Sequence, residues 1–112
     1  MAVYVSNIIV NTGADFSQVF TLEDASTNSA LNLTGYTVSS QMRKHPASSG
    51  VTTFTASVYD ASAGQIKIGL STSQTSALKE GRYVYDIKVL DTDNVTTRVV
   101  EGMVLVSKGV TQ

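Results

Sequence analysis

The chain has 112 residues, a formal net charge of -1 from 8 basic and 9 acidic side chains, and no cysteine. This length predicts a single domain, residues 1–112, and the lack of cysteine excludes disulfides, thiolate metal ligands and a cysteine nucleophile. The sparse and balanced charge argues against nucleic acid as a partner, and no stretch approaches the ~18 apolar residues of a membrane span.

Fourteen serines and fourteen threonines make up a quarter of the sequence and favour strands joined by polar turns. Alternation of apolar and polar residues predicts a first strand, and not a signal peptide, over Val3–Val10. A second strand is predicted at about Asp15–Glu23, with Phe16 and Phe20 facing inward. The polar segment Asp24–Ser29 predicts a loop.

The same alternation predicts a third strand over Tyr36–Arg43. The segment His45–Gly50, which contains the only proline, predicts a long surface loop. A fourth strand is predicted around Phe54–Val58, and a fifth places Ile66, Ile68 and Leu70 inward.

The segment Ser71–Lys79 breaks the alternation and predicts one short helical turn near residues 72–79, capped by Ser71 or Ser73 and anchored by Leu78. A sixth strand is predicted over Arg82–Leu90. After the hairpin loop at residues 91–94, a last strand is predicted over residues 95–106.

About seven short strands at this spacing predict an all-β fold, most simply an immunoglobulin-like antiparallel β-sandwich. A bend and Gly81 lead to Tyr83 early in the sixth strand, which resembles the tyrosine corner of such sandwiches. Tyr85 then takes the place of the second cysteine of an antibody domain. A plain inward-facing tyrosine is the alternative.

Few residues of the chain are of the types that catalyse reactions or bind metals. The only histidine, His45, stands beside the loop proline with no neighbouring carboxylate, so a surface position is expected. The acidic cluster at residues 91–94 lacks the glycine and the later glutamate of a calcium loop and predicts a turn. Asp86 is expected to be exposed, and Glu101 to be half-buried and paired with Arg82 or Arg98. No catalytic, metal or cofactor site is predicted.

Both terminal strands carry consecutive apolar residues, which place hydrophobic side chains on both faces of a strand. One face forms the core, and the other is covered either by the chain itself or by a neighbouring subunit. The second interpretation gives six candidate interface residues, namely Ile8, Ile9, Val10, Val100, Val104 and Val106.

Several segments resemble small structural proteins of tailed-phage particles, and the N-terminal domain of phage baseplate upper proteins in particular. The segments that carry the resemblance are Phe16–Leu22, Leu31–Tyr36, Ala63–Ile68, Leu70–Asp86 and Arg98–Gly102, with Val110–Thr111 near the end. The resemblance extends from about Ala14 to Thr111. Baseplate upper proteins continue into long trimerising helices, whereas this sequence ends after its last strand.

The resemblance implies a non-enzymatic virion protein that is assembled in the host cytoplasm, most simply a subunit that decorates or cements the capsid. A tail, neck or baseplate component is the alternative within this class, and a carbohydrate- or receptor-binding module is the alternative outside it. The implied partners are other virion proteins and further copies of the chain, with the terminal segments extending onto neighbouring subunits. Neither nucleic acid, nor a membrane, nor a cofactor is implied.

Overall fold

Most strands of the fold are short, and tight polar turns at residues 61–64 and 91–95 connect neighbouring strands. A computed structural model describes residues 4–23, 29–45 and 50–108. In these ranges the elements are β1 Tyr4–Val5, β2 Ile8–Asn11, β3 Phe16–Thr21, β4 Thr37–Arg43, β5 Val51–Thr53, β6 Thr55–Asp60, β7 Gln65–Leu70, α1 Thr72–Ser76, β8 Gly81–Leu90 and β9 Thr96–Ser107. Most of the predicted Asp24–Ser29 loop and most of the predicted His45–Gly50 loop lie outside the described residues.

The strands form two sheets that pack face to face, which confirms the predicted all-β sandwich. The larger sheet has six strands in the order β1-β9-β8-β4-β5, with β2 also paired to β9, and the smaller sheet has the order β3-β7-β6. Most pairs are antiparallel, but β1 and β2 both run parallel to β9. The nine strands exceed the predicted seven because the first strand divides at Ser6–Asn7 and because β5 was not predicted.

The inward faces of the two sheets form a core of aliphatic side chains around one aromatic cluster. Along β4 the side chains of Val38, Ser40 and Met42 are buried and their neighbours are exposed or half-buried, as the alternation predicted. Phe54 lies between β5 and β6, with its ring centre 6.0 Å from that of Phe16 and 6.2 Å from that of Tyr85. Phe54 therefore connects one strand of each sheet.

The tyrosine corner predicted before β8 is present. The hydroxyl of Tyr83 donates a hydrogen bond of 2.8 Å to the carbonyl oxygen of Lys79, four residues upstream. Two residues later, Tyr85 is buried in the core, at the position where an antibody domain has its second cysteine. This corner fixes how the chain enters the central strand of the larger sheet.

Helix α1 is the predicted helical turn, and Ser71 rather than Ser73 caps it. The Ser71 hydroxyl accepts from the backbone N–H of Gln74 at 3.3 Å, and the Gln74 side chain accepts from the backbone N–H of Ser71 at 2.9 Å. Asp15 accepts two hydrogen bonds of 2.8 Å from Thr72, one from its backbone and one from its hydroxyl. These bonds join the first residue of α1 to the residue that precedes β3. In the part of the chain that the structure describes, no helix has the length and apolar character needed to cross a membrane.

Candidate interaction surface

The polar residues considered for chemistry occupy structural positions. His45 is exposed just beyond the end of β4. A carboxylate oxygen of Asp91 accepts from the backbone N–H groups of Asp93 at 2.8 Å and Val95 at 3.0 Å, so it stabilises the hairpin turn as predicted. Within residues 4–23, 29–45 and 50–108, no three His, Asp or Glu side chains lie together as metal ligands would.

Asp86 and Glu101 form an ion-pair cluster with Arg98 on the outer face of the larger sheet. The two carboxylates are opposite one another on β8 and β9. The guanidinium of Arg98 lies 3.3 Å from Asp86 and 3.6 Å from Glu101. Arg98, and not Arg82, is therefore the partner of Glu101. Because all three side chains are substantially exposed, the cluster contributes little to stability, about 0–1 kcal/mol for each pair.

The structure corrects the choice of interface residues. Five of the six candidates are buried in the core of the chain's own sandwich, so they are not available to a neighbouring subunit. These five are Ile8, Val10, Val100, Val104 and Val106. Only Ile9 is on the surface, with 60% of its side chain exposed.

A β-bulge in β9 explains why two consecutive valines are both buried. Ile87 is opposite Val100, whereas the next residue, Lys88, is opposite Arg98. Val99 is therefore the extra residue of the bulge, and both Val99 and Val100 are fully buried. Alternation along a regular strand would place one of them outside. The apolar pair thus reflects a local irregularity and not a strand with two apolar faces.

On β2 and β9, exposed apolar side chains alternate with the buried ones and point to the outer face of the larger sheet. Ile9 of β2 is paired with Leu105 of β9, which is 49% exposed. Met103 and Val5 are 40% and 75% exposed on the same outer face. We call these four residues, Val5, Ile9, Met103 and Leu105, the outer apolar patch.

A shallow groove of about 700 Å³ connects the outer apolar patch to the ion-pair cluster. Val5 and Met103 of the patch line this groove together with Asp86, Arg98 and Glu101 of the ion-pair cluster. The larger sheet thus combines exposed hydrophobic side chains with fixed charges of both signs.

The sequence contained a signal for the outward parity of β9. Glu101 shares its parity with Met103 and Leu105, and a charged residue within an apolar strand usually marks the solvent face. The alternate set, Val100, Val104 and Val106, contains no polar side chain, as expected of residues that face the core. The three β9 residues predicted as an interface, Val100, Val104 and Val106, belong to this second, core-facing set.

The described residues define an all-β protein with a two-sheet sandwich fold. No family model and no curated protein matches this chain. Among solved structures, an internalin-like protein of Listeria monocytogenes is similar over 96% of this chain, at 12% sequence identity and a TM-score of 0.46. The chain spans 28% of that protein's length. This likeness is too distant to transfer anything from that protein's name to this one.

Proposed function

We propose that this chain is a non-enzymatic structural protein of a bacteriophage particle, a subunit that decorates or cements the capsid surface. The observation that supports it best is the outer apolar patch on the larger sheet. The resemblance of Leu31–Tyr36 and Ala63–Ile68 to phage virion proteins supplies the class of partner, namely other virion proteins.

The outer apolar patch suits a protein that binds to an assembled surface. Contiguous exposed hydrophobic residues on a soluble domain commonly mark a protein interface. Burying a side chain such as Leu105 would contribute roughly 1.5–3 kcal/mol. The neighbouring charges of Asp86, Arg98 and Glu101 would select the partner and fix its orientation more than they would add affinity.

The positions of the polar residues agree with a non-enzymatic role. Asp86 and Glu101 are bound to Arg98, and Asp91 is bound to backbone N–H groups of its own turn. These carboxylates therefore have structural partners. A protein whose work is contact between subunits requires only this stable framework and a surface.

A tail, neck or baseplate component is the alternative place in the particle. The number of copies distinguishes the two, because a head decoration protein is present in far more copies than a protein of the tail or baseplate. Quantitative mass spectrometry of purified particles, calibrated on the major capsid protein, would measure this number. A copy number well below that of the capsid protein would favour the tail or baseplate.

The rival hypothesis of a carbohydrate- or receptor-binding module requires aromatic rings on the surface. Among the tyrosines whose side chains are described, Tyr85 is buried, Tyr36 and Tyr83 are half-buried, and only Tyr59 is exposed. Tyr59 is covered in part by Lys67, whose ammonium lies 5.7 Å from the ring centre. Strong and selective binding on a glycan array would nevertheless support this rival.

The proposal is tested by binding to particles. Purified protein should sediment with phage particles from a host that encodes the chain, and Leu105→Lys should weaken this binding at least about tenfold. Val95→Lys is a matched control, because Val95 is 55% exposed but lies in the hairpin loop between β8 and β9. If the native protein neither binds such particles nor occurs in them by mass spectrometry, the proposal is wrong.

A further inference from the structure

Strand β3 is an unusually unprotected sheet edge. Among the described residues it pairs only with β7, and its six residues Phe16–Thr21 include no charge, no proline and no bulge. Natural sheets normally protect such edges with one of these features or with short strands. The other edges have protection: β5 has three residues, β6 has a bulge between Val58 and Asp60, and the β1–β2 edge is interrupted.

No strand of the described residues pairs with the backbone groups on the outer side of β3. The N–H of Leu22, just after the strand, donates to the carbonyl oxygen of Gly64 at 2.7 Å, on the side of β7. Peptide groups alternate in direction along an antiparallel strand. The backbone N–H and C=O groups of Phe20, Gln18 and Phe16 therefore also point to β7. The N–H and C=O groups of the alternate residues, Ser17, Val19 and Thr21, therefore point to the open edge.

The side chains on one face of β3 are symmetric about its third residue. The pattern is Phe16-x-Gln18-x-Phe20, in which both phenylalanines are half-buried and Gln18 is exposed. A two-fold axis places the same surface of each copy against the other, so an isologous contact requires a self-complementary segment. We propose that two copies of this chain associate through antiparallel pairing of their β3 strands, about a two-fold axis at Gln18.

This register brings favourable side-chain pairs together. Phe16 of one copy is opposite Phe20 of the second copy, and Gln18 is opposite Gln18. These are the non-hydrogen-bonded positions of the new pair, where facing side chains approach most closely. Aromatic pairs at such positions stabilise a sheet, and the two glutamine amides can bond each other across the axis. The two three-stranded sheets become one continuous sheet of six strands.

Charged side chains next to β3 favour the register with its axis at Gln18 over the register with its axis at Val19. An axis at Val19 would place Asp15 of one copy opposite Glu23 of the other, and like charges at facing positions are destabilising. With the axis at Gln18, Asp15 is opposite Thr21, whose hydroxyl can donate to a carboxylate. The proposal concerns an edge of the smaller sheet and is independent of the outer apolar patch and of the phage assignment.

Charge exchange at the axis provides the test, with sedimentation velocity over a range of concentrations as the measurement. The native chain should form dimers. Gln18→Lys and Gln18→Glu each place like charges face to face, so each should dimerise about tenfold more weakly. An equimolar mixture of the two variants should recover association as a heterodimer. Because Gln18 is exposed, both variants keep the core intact.

Ser57→Lys is the matched control, since Ser57 is exposed on β6, the opposite edge strand of the same sheet. It should leave dimerisation unchanged. Amide hydrogen exchange should slow at Ser17, Val19 and Thr21 as the concentration of the native chain rises. A native chain that stays monomeric at every concentration would overturn the proposal. So would a dimer that tolerates Gln18→Lys but is dissociated by Leu105→Lys.

Discussion

The phenolic hydroxyl of Tyr85, in the middle of β8, donates a 2.6 Å hydrogen bond to the backbone carbonyl oxygen of Ser6. Ser6 lies in the interruption between β1 and β2, two short strands that both pair with β9. The side chain therefore reaches from the core, past β9, to the N-terminal edge of the larger sheet. Tyr85 fixes the point at which the edge strand is interrupted.

Replacing this tyrosine should cost measurable stability. Tyr85→Phe keeps the ring in the core but removes the hydrogen-bond donor to Ser6, so we expect a loss of about 1–2 kcal/mol in the free energy of unfolding. Urea denaturation measures it. Tyr59→Phe is the control, because Tyr59 is exposed and its change should be within ~0.5 kcal/mol. Equal effects of the two substitutions would contradict the structural role given to Tyr85.

Stability should also fall at alkaline pH because of Tyr85. Burial raises the pKa of Tyr85 above its ordinary value of 10.0, since the charged phenolate is poorly solvated in the core. The unfolded chain then releases this proton at a lower pH than the folded chain does. The contribution of Tyr85 to the free energy of unfolding is therefore complete below the pKa that this tyrosine has in the unfolded chain. It is lost as the pH rises through the higher pKa that Tyr85 has in the folded chain. Unfolding measured across this range should show a smaller alkaline loss for Tyr85→Phe than for the native chain.

Replacing Gly102 by alanine should destabilise the larger sheet. A Cβ atom at this position would collide with the carbonyl oxygen of Ser6 and lie 2.8 Å from its carbonyl carbon. Both are backbone atoms, and the N–H of Ser6 is itself bound to the carbonyl oxygen of Glu101 at 2.9 Å, so the edge strand cannot move aside without losing this bond. We expect Gly102→Ala to destabilise the fold by about 1–3 kcal/mol in thermal unfolding. An unchanged melting temperature would show that this edge is more loosely attached than the contacts indicate.

The tyrosine corner should contribute less than Tyr85 does. Tyr83→Phe removes the 2.8 Å bond to the carbonyl oxygen of Lys79, which lies nearer to solvent. The expected loss is about 0.5–1.5 kcal/mol in urea denaturation. A loss larger than that of Tyr85→Phe would reverse the ranking that burial predicts.

Substitutions at two neighbouring residues test which side chains of β9 face the core. Val104 is fully buried and Leu105 is 49% exposed. Val104→Lys places an unpaired charge in the core and should cost at least about 3 kcal/mol, enough to unfold a marginally stable domain. Leu105→Lys should leave the folded state intact by circular dichroism. If Leu105→Lys unfolded the chain and Val104→Lys did not, Val104 would face outward, as the sequence first indicated.

Periodicity predicted much of the fold because most strands are regular. In β4, the alternation that includes Val38 and Met42 is the alternation of buried and exposed side chains in the structure. The bend before Tyr83 likewise predicted a corner that the structure contains. Such local patterns determine which residues face inward wherever a strand continues without interruption.

The candidate surface was predicted less well, because it depends on irregularities. The bulge at Val99 changes the phase of the alternation along β9, whereas the interruption at Ser6 divides the edge strand without changing its register against β9. Neither irregularity has a clear signal in the sequence. The parallel pairing of β2 with β9 joins residues almost a hundred positions apart. Ile9 and Leu105 could therefore be recognised as neighbours only in the folded chain.

The sequence by itself determined an all-β chain with a short helical turn and indicated a tyrosine corner, because each of these depends on residues close together in the chain. Its lack of cysteine also excluded disulfides and thiolate chemistry. The tertiary structure decided which apolar residues form the core and which form the outer apolar patch. That choice depends on strand register, which is set by the packing of both sheets together and by the bulge that this packing accommodates.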